Sequence, residues 1–232
     1  MLALLGSVAV PAAASSAVTT PRTVASSTAL PSSVDWREHL AVTGVKDIRQ
    51  CEDPYVSQAF AAADTLEGAW VLQNHNLLTE FKPRIYNPAG QELPSDRCST
   101  PGGAEFDQTA FNHWAPVPTR DETALMAAVA TGPVRAMINA SRSTLAYYRG
   151  GLYADPSCSS TNLDHAVTIV GYGTNSAGDY WLVKNNWGPT WGLGGYVLMA
   201  RGINQCGIAT QADQPVLNPP GGTAHNPWPI QP

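Results

Sequence analysis

The feature that most constrains this chain is a change of hydrophobic period along its length. From Ser57 to Asn74, apolar residues (Ala59, Phe60, Ala63, Leu66, Trp70 and Val71) recur at three- and four-residue steps with no proline, which predicts one long helix. A shorter helix is expected over Glu122–Ala130, stopped by Gly132-Pro133. Beyond it the pattern becomes β-like: Val134–Ile138, Ala166–Gly171, Tyr180–Lys184 and Gly195–Ala200. Gly171-Tyr172-Gly173 and Asn175-Ser176-Ala177-Gly178 are expected to make turns between these strands. With 20 glycines and 19 prolines in 232 residues, the composition suits a loop- and strand-rich fold rather than a helical bundle. The expected class is α+β, a helical front lobe packed against a β-rich, barrel-like back lobe with a cleft between them.

Composition removes several functions. Formal charge is −5, only 13% of residues are charged, and no basic block exists, which argues against a nucleic-acid partner. No apolar run reaches the roughly 18 residues a membrane span needs. The four cysteines, Cys51, Cys98, Cys158 and Cys206, show no CxxC pair and no accompanying His cluster, so no metal or other cofactor is expected. An even set favours two disulfides in an oxidising compartment, extracellular or lysosome-like. Residues 1–30 read as a leader: Leu2–Val10 is apolar and Pro11-Ala12-Ala13-Ala14-Ser15 offers a small-residue cleavage site. The alternatives are a low-complexity leader or an incomplete start. A globular domain is expected over 31–216 and a proline-rich tail over 217–232.

The back half contains Leu163-Asp164-His165-Ala166-Val167, Gly171-Tyr172-Gly173 and Tyr180-Trp181-Leu182-Val183-Lys184-Asn185-Asn186-Trp187-Gly188, followed by Trp191-Gly192, Gly194-Gly195-Tyr196 and Cys206-Gly207-Ile208-Ala209-Thr210. The front contains Leu30-Pro31-Ser32-Ser33-Val34-Asp35-Trp36-Arg37 and Ala41-Val42-Thr43-Gly44-Val45-Lys46. In this combination the chain closely resembles papain-family cysteine peptidases, especially the cathepsin L-like branch, over about residues 30 to 216. The resemblance implies the papain-like two-lobe fold and descent from cysteine-type endopeptidases.

Acyl transfer needs a nucleophile, a base, a group that orients the base, and donors for the oxyanion. By the resemblance His165 is the base and Asn185 orients its ring, with Trp187 shielding that bond. The nucleophile position departs from the family. Counting back from Ala59-Phe60 and Thr65-Leu66-Glu67-Gly68, the catalytic cysteine falls on Ser57 and the family's next residue, a tryptophan, on Gln58. Five residues, Glu52–Val56, separate Cys51 from Ser57 where the family has two. The resemblance pairs Cys51 with Cys98 and Cys158 with Cys206, which uses every thiol. The oxyanion glutamine falls on Ile48 without a gap, or on Gln50 if the insertion is shared. Asp53-Pro54 reads as an N-cap followed by a first-turn proline, which would place Ser57 a turn inside the helix; the other reading is an irregular loop, with the helix starting as in the family.

The resemblance also carries over a cleft. Gly102 and Gly103 match a strand that binds peptide backbone. Ala104, Met137, Leu163, Ala166 and Gln211 match the wall of the main specificity pocket, apolar with Gln211 at its base, or equally plain core. Family members carry a helical pro-segment; about thirty residues precede Leu30 here, without a helical pattern. Asn139-Ala140-Ser141 is a glycosylation sequon or a chance match.

The leading expectation is a catalytically impaired or silent member of this family, a monomer that holds a peptide or protein ligand in its cleft. A serine hydroxyl is not ionised as a thiolate is, so turnover would fall steeply. The alternatives are an active hydrolase using Ser57-His165-Asn185, a chain in which Cys51 is the nucleophile, and a structural role as in serine-bearing silica-forming relatives.

Overall fold

A computed structural model describes residues 29–49, 51, 56–74 and 110–219. Among the described residues, eight strands and three α-helices follow one another as β1 (Val34–Asp35), α1 (Val56–Asn74), β2 (Phe111–Pro116), α2 (Glu122–Val129), β3 (Val134–Ile138), α3 (Ser143–Ala146), β4 (Leu152–Tyr153), β5 (His165–Asn175), β6 (Gly178–Lys184), β7 (Tyr196–Ala200) and β8 (Ala212–Leu217), with a 3-10 turn at Gln205–Gly207 before β8. All strands join one sheet in the order β2-β8-β3-β5-β6-β7-β4, with β1 added on β5. The pairings are antiparallel except β4 on β7.

The two expected helices form at the expected places, and β3 spans the run expected of it. Asn175 and Gly178 face each other across the β5–β6 hairpin, with the Asn175 side chain accepting from the Ala177 N–H at 2.8 Å, so that turn forms as the sequence implies. Gly171-Tyr172-Gly173 does not turn. It lies inside β5, where β1 crosses closely, and a Cβ on Gly171 would stand 2.1 Å from the Val34 carbonyl oxygen. The glycine serves close backbone approach instead of chain reversal. At the other end, Leu217 pairs with Phe111 and Asn218 is buried, its N–H donating to the Ala110 carbonyl at 2.7 Å. Both residues, expected in the tail, close the edge of the sheet.

The main core lies within the sheet lobe. Leu125 and Val129 of α2 share one buried cluster with Ile138, Val167, Ile169, Trp181, Val183, Val197, Met199 and Ile208. A second, smaller apolar cluster joins Ile48 to Val56 and Phe60 of α1. Trp187 touches both clusters and so marks the seam between α1 and the sheet. α1 lies against that seam and is buried on more than one face, including Asp64, Thr65 and Glu67. No described helix is long and apolar enough to cross a membrane.

Candidate active site

Ser57 is the second described residue of α1; Asp53 and Pro54, from which an earlier helix start is read, lie outside the described residues. Its side chain is buried and its Oγ accepts the Ala166 backbone N–H at 3.2 Å. Ala166 follows His165 at the head of β5, so the hydroxyl is held one residue from the imidazole. Gln58, next along α1, is exposed.

His165 is 6% exposed, and its Nε2 lies 2.8 Å from Asn185 Oδ1. The Asn186 N–H donates to that same Asn185 atom at 2.8 Å, which identifies it as the oxygen. An amide oxygen can only accept, so His165 donates through Nε2 and its Nδ1 is left as the acceptor of the neutral ring. Burial pushes the imidazole pKa below its ordinary value, outweighing the Asn185 bond and the nearby Asp164. Trp187 stacks obliquely on the ring, with centroids 4.9 Å apart, and is braced edge-on by Trp191 at 5.2 Å. Trp191 is anchored in turn by its Nε1–H on the Leu145 and Ala146 carbonyls.

Asn186 fastens the adjoining segment. Its Nδ2 donates to the Ala166 carbonyl at 3.1 Å and its own carbonyl accepts the Ile48 N–H at 2.9 Å. Both backbone groups of Ala166 are thereby held, one by Ser57 and one by Asn186. The Ile48 side chain turns into the cluster with Val56, Phe60 and Trp187, so this position offers an oxyanion no side-chain donor. Gln50, the other candidate, lies outside the described residues, as do Gly102, Gly103 and Ala104.

Of the remaining cleft residues, Met137 of β3 faces Ala166 of β5, and the Met137 N–H donates to the Gln211 carbonyl at 2.9 Å. These three are neighbours, although Gln211 is exposed and not at a buried base. Leu163 packs against Gly207, where a Cβ would stand 2.6 Å from Leu163 Cδ2. Cys158 and Cys206 form a disulfide, and Cys51 is disulfide-bonded as well. Its expected partner, Cys98, lies outside the described residues. No described cysteine is free, so Cys51 has no thiol to act as nucleophile. Asn139 of the sequon is buried and donates to the Asn162 carbonyl at 2.8 Å and to Ser141 Oγ at 3.0 Å, which leaves its amide no access to a glycan in the folded chain.

Sequence comparison places this geometry in a lineage. The model for "Papain family cysteine protease" matches residues 30–83 and 82–216. The chain belongs to the papain family. It is similar to a cathepsin L of Sarcophaga peregrina, 38% identical with 81% of this chain and 64% of that protein covered. It is also similar to a silicatein of Petrosia ficiformis, 37% identical with the same two shares covered. The chain thus spans 64% of the length of each of these relatives. Among solved structures, the bromelain protease from Ananas comosus in complex with the E64 inhibitor superposes with a TM-score of 0.67 at 30% identity, covering 81% of this chain and 100% of that one. The fold is the papain-like α+β fold, and the lineage is that of cathepsin L-type cysteine endopeptidases.

Two groups near the site escape a reading by resemblance alone. Asp64 and Glu67 of α1 are buried together with Lys46 and Lys184. Charged residues on a helix ordinarily read as its solvated face. The signal that was available is the apolar surround: Ala61 and Ala63 before them, and Gly68 and Val71 after.

Proposed function

We propose that this chain is a papain-family protein that has lost peptidase turnover and keeps its cleft as a binding site for an extended peptide or protein segment. The observation that carries this reading is the hydroxyl at the head of α1. Ser57 Oγ accepts a backbone N–H from Ala166, while Cys51, Cys158 and Cys206 are all committed to disulfides. A thiolate–imidazolium pair needs an acidic thiol beside the base, and an alcohol at this position stays protonated. The hydrogen bond from Ala166 draws further electron density from the oxygen. Apolar Ile48 removes one place from which an oxyanion could be stabilised.

The binding half of the site supports the retained cleft. The His165–Asn185–Trp187 arrangement is complete, and Met137, Ala166 and Gln211 stand together beside it. The disulfides suit a secretory, extracellular or lysosome-like setting, and the ligand is taken by a monomer.

A second reading has one specific observation in its favour. Burial favours the neutral form of His165, and with Nε2 donating to Asn185 the Nδ1 of that form is the acceptor a general base needs to take a proton from Ser57 during attack. Fluorogenic peptides with an apolar residue second from the scissile bond separate the two. The proposal expects calorimetric binding of such peptides, unchanged in Ser57→Ala, with no release of fluorophore above buffer. Turnover that Ser57→Ala abolishes and thiol reagents leave intact would replace it with serine hydrolysis.

A further inference from the structure

Behind the site, four charged side chains are buried together, each 5% exposed or less. Lys46 Nζ donates to Asp64 Oδ1 at 2.5 Å and to both oxygens of Glu67 at 2.9 and 3.1 Å. Lys184 Nζ stands 2.9 Å from the same Asp64 oxygen. The Thr43 hydroxyl is the hub: it accepts from Lys46 at 3.1 Å and from Lys184 at 3.2 Å, and it donates to Glu67.

The cluster lies in line with the site. Ser57, Ala61 and Asp64 recur at steps of four and three, so they share one stripe of α1, with Asp64 about 10 Å along the axis from Ser57. That stripe follows β5 downward. Ser57 meets the Ala166 N–H, and the Ala61 carbonyl accepts from the Thr168 hydroxyl at 3.5 Å. Asp64 then meets Lys184, the cross-strand partner of Thr168 on β6. Lys184 directly precedes Asn185, and the Lys46 carbonyl accepts the Gly188 N–H at 2.9 Å.

Ion pairs this buried cost so much desolvation that apolar side chains of equal volume often stabilise as well. What directional pairs add is register: an ammonium shared between a hydroxyl and a carboxylate permits one sliding position of α1 on the sheet, whereas alanines on valines permit several. Both lysines act on Asp64, outweighing the opposing effect of burial and holding its carboxyl below the ordinary range.

We propose that Asp64 and Lys184 are positioning residues: their ion pair fixes α1 on β5 and β6 and thereby holds the Ser57 hydroxyl on the Ala166 N–H beside His165 and Asn185. This rests on the reading of Ser57 as a site residue given above, but its test does not depend on whether the site turns over.

The test follows the Ala166 amide by NMR in the full chain, taking its resonance position and its hydrogen-exchange rate. Ser57→Ala supplies the signature of the lost bond, expected as exchange faster by roughly tenfold. Asp64→Asn and Lys184→Met should each reproduce that signature, with the β6–β7 amides unchanged. The double variant should fall clearly short of the sum of the two single ones, because both remove the Asp64–Lys184 pair while only one of them touches Lys46 and only the other Thr43. Asp64→Glu keeps the charge and alters only its reach; it is expected to fold and to move the Ala166 resonance in the same direction by less. An unmoved Ala166 amide in Asp64→Glu, or additive loosening spread over β6 and β7 in the other variants, would overturn the proposal. Peptide binding is measured separately, so a failed cleft reading and a failed positioning reading give different results.

Discussion

On the proposed reading, Ser57 differs from a family nucleophile by one atom, and what that atom alone controls can be tested. Ser57→Cys restores a thiol in the first turn of α1, one residue from His165 in space. Yet the larger sulfur has to fit where Oγ now sits 3.2 Å from the Ala166 N–H, with Ile48 apolar nearby and Gln58 exposed instead of bulky. On the reading that Ile48 holds the oxyanion position, the missing donor costs about 2.7–4 kcal/mol, or 10²–10³ in rate. Ser57→Cys is therefore expected to turn over apolar peptides at least about a hundredfold below the kcat near 10 per second of a typical enzyme. Epoxide labelling and active-site titration would check this, with mass spectrometry confirming that the native disulfides persist. Rapid titration and near-normal turnover would mean that the serine alone silences the cleft. Legibility at this scale was uneven for a physical reason. His165 and Asn185 were readable because strand motifs fix both ends of their hydrogen bond. Asp64 and Glu67 were not, since their apolar neighbours Ala61, Ala63, Gly68 and Val71 hint at burial but do not say which ammoniums the carboxylates face.

At the scale of elements, α2 shows how a short helix of ordinary composition becomes indispensable. Asp121 caps it by accepting the Ala124 N–H at 2.9 Å. The next residue, Glu122, reaches away from the helix and accepts from Trp181 Nε1 at 2.8 Å, from the Gly202 N–H at 2.7 Å and from the Asn204 N–H at 2.5 Å. One carboxylate thus joins α2 to β6 and to the turn after β7. Glu122→Ala leaves three donors without this partner, one of them on the fully buried Trp181. We expect it to cost about 2–3 kcal/mol in urea unfolding, with Glu122→Gln losing clearly less because one acceptor oxygen survives. A change within a few tenths of a kcal/mol for Glu122→Ala would show that water replaces the carboxylate. α1, α2 and β3 were legible from period alone, whereas α3 was not, and the Gly171–Gly173 stretch of β5 read as a turn. Nor were β2 and β8 legible: Phe111–Pro116 and Ala212–Leu217 each carry a proline and lack alternation, and they hold as strands because they pair with each other and β8 with β3.

Across the whole molecule, α1 is joined to the sheet through buried charge, and the sign of that contribution depends on pH. Burial and the neighbouring Asp64 push the Glu67 carboxyl above its ordinary value, against the opposing pull of Lys46, Lys184 and Thr43. A carboxyl with a raised pKa in the folded chain binds its proton more tightly there than in the unfolded chain. Its contribution to stability is therefore fully present below the ordinary carboxyl value of about 4.3 and is lost as pH rises through the raised one. Asp64 has the opposite sign, since its lowered pKa makes it stabilising above the ordinary value and lost in strong acid. Glu67→Gln isolates the first effect, because glutamine matches the protonated carboxyl in shape and does not titrate. The expected result is that the variant gains on the wild type as pH rises from 4 to 7, even though at pH 7 the wild type holds one more buried ion pair. Urea unfolding of both proteins at a series of pH values would check it. A variant that falls further behind the wild type on going from pH 4 to pH 7 would show that Lys46, Lys184 and Thr43 outweigh burial, and that ionised Glu67 strengthens the fold.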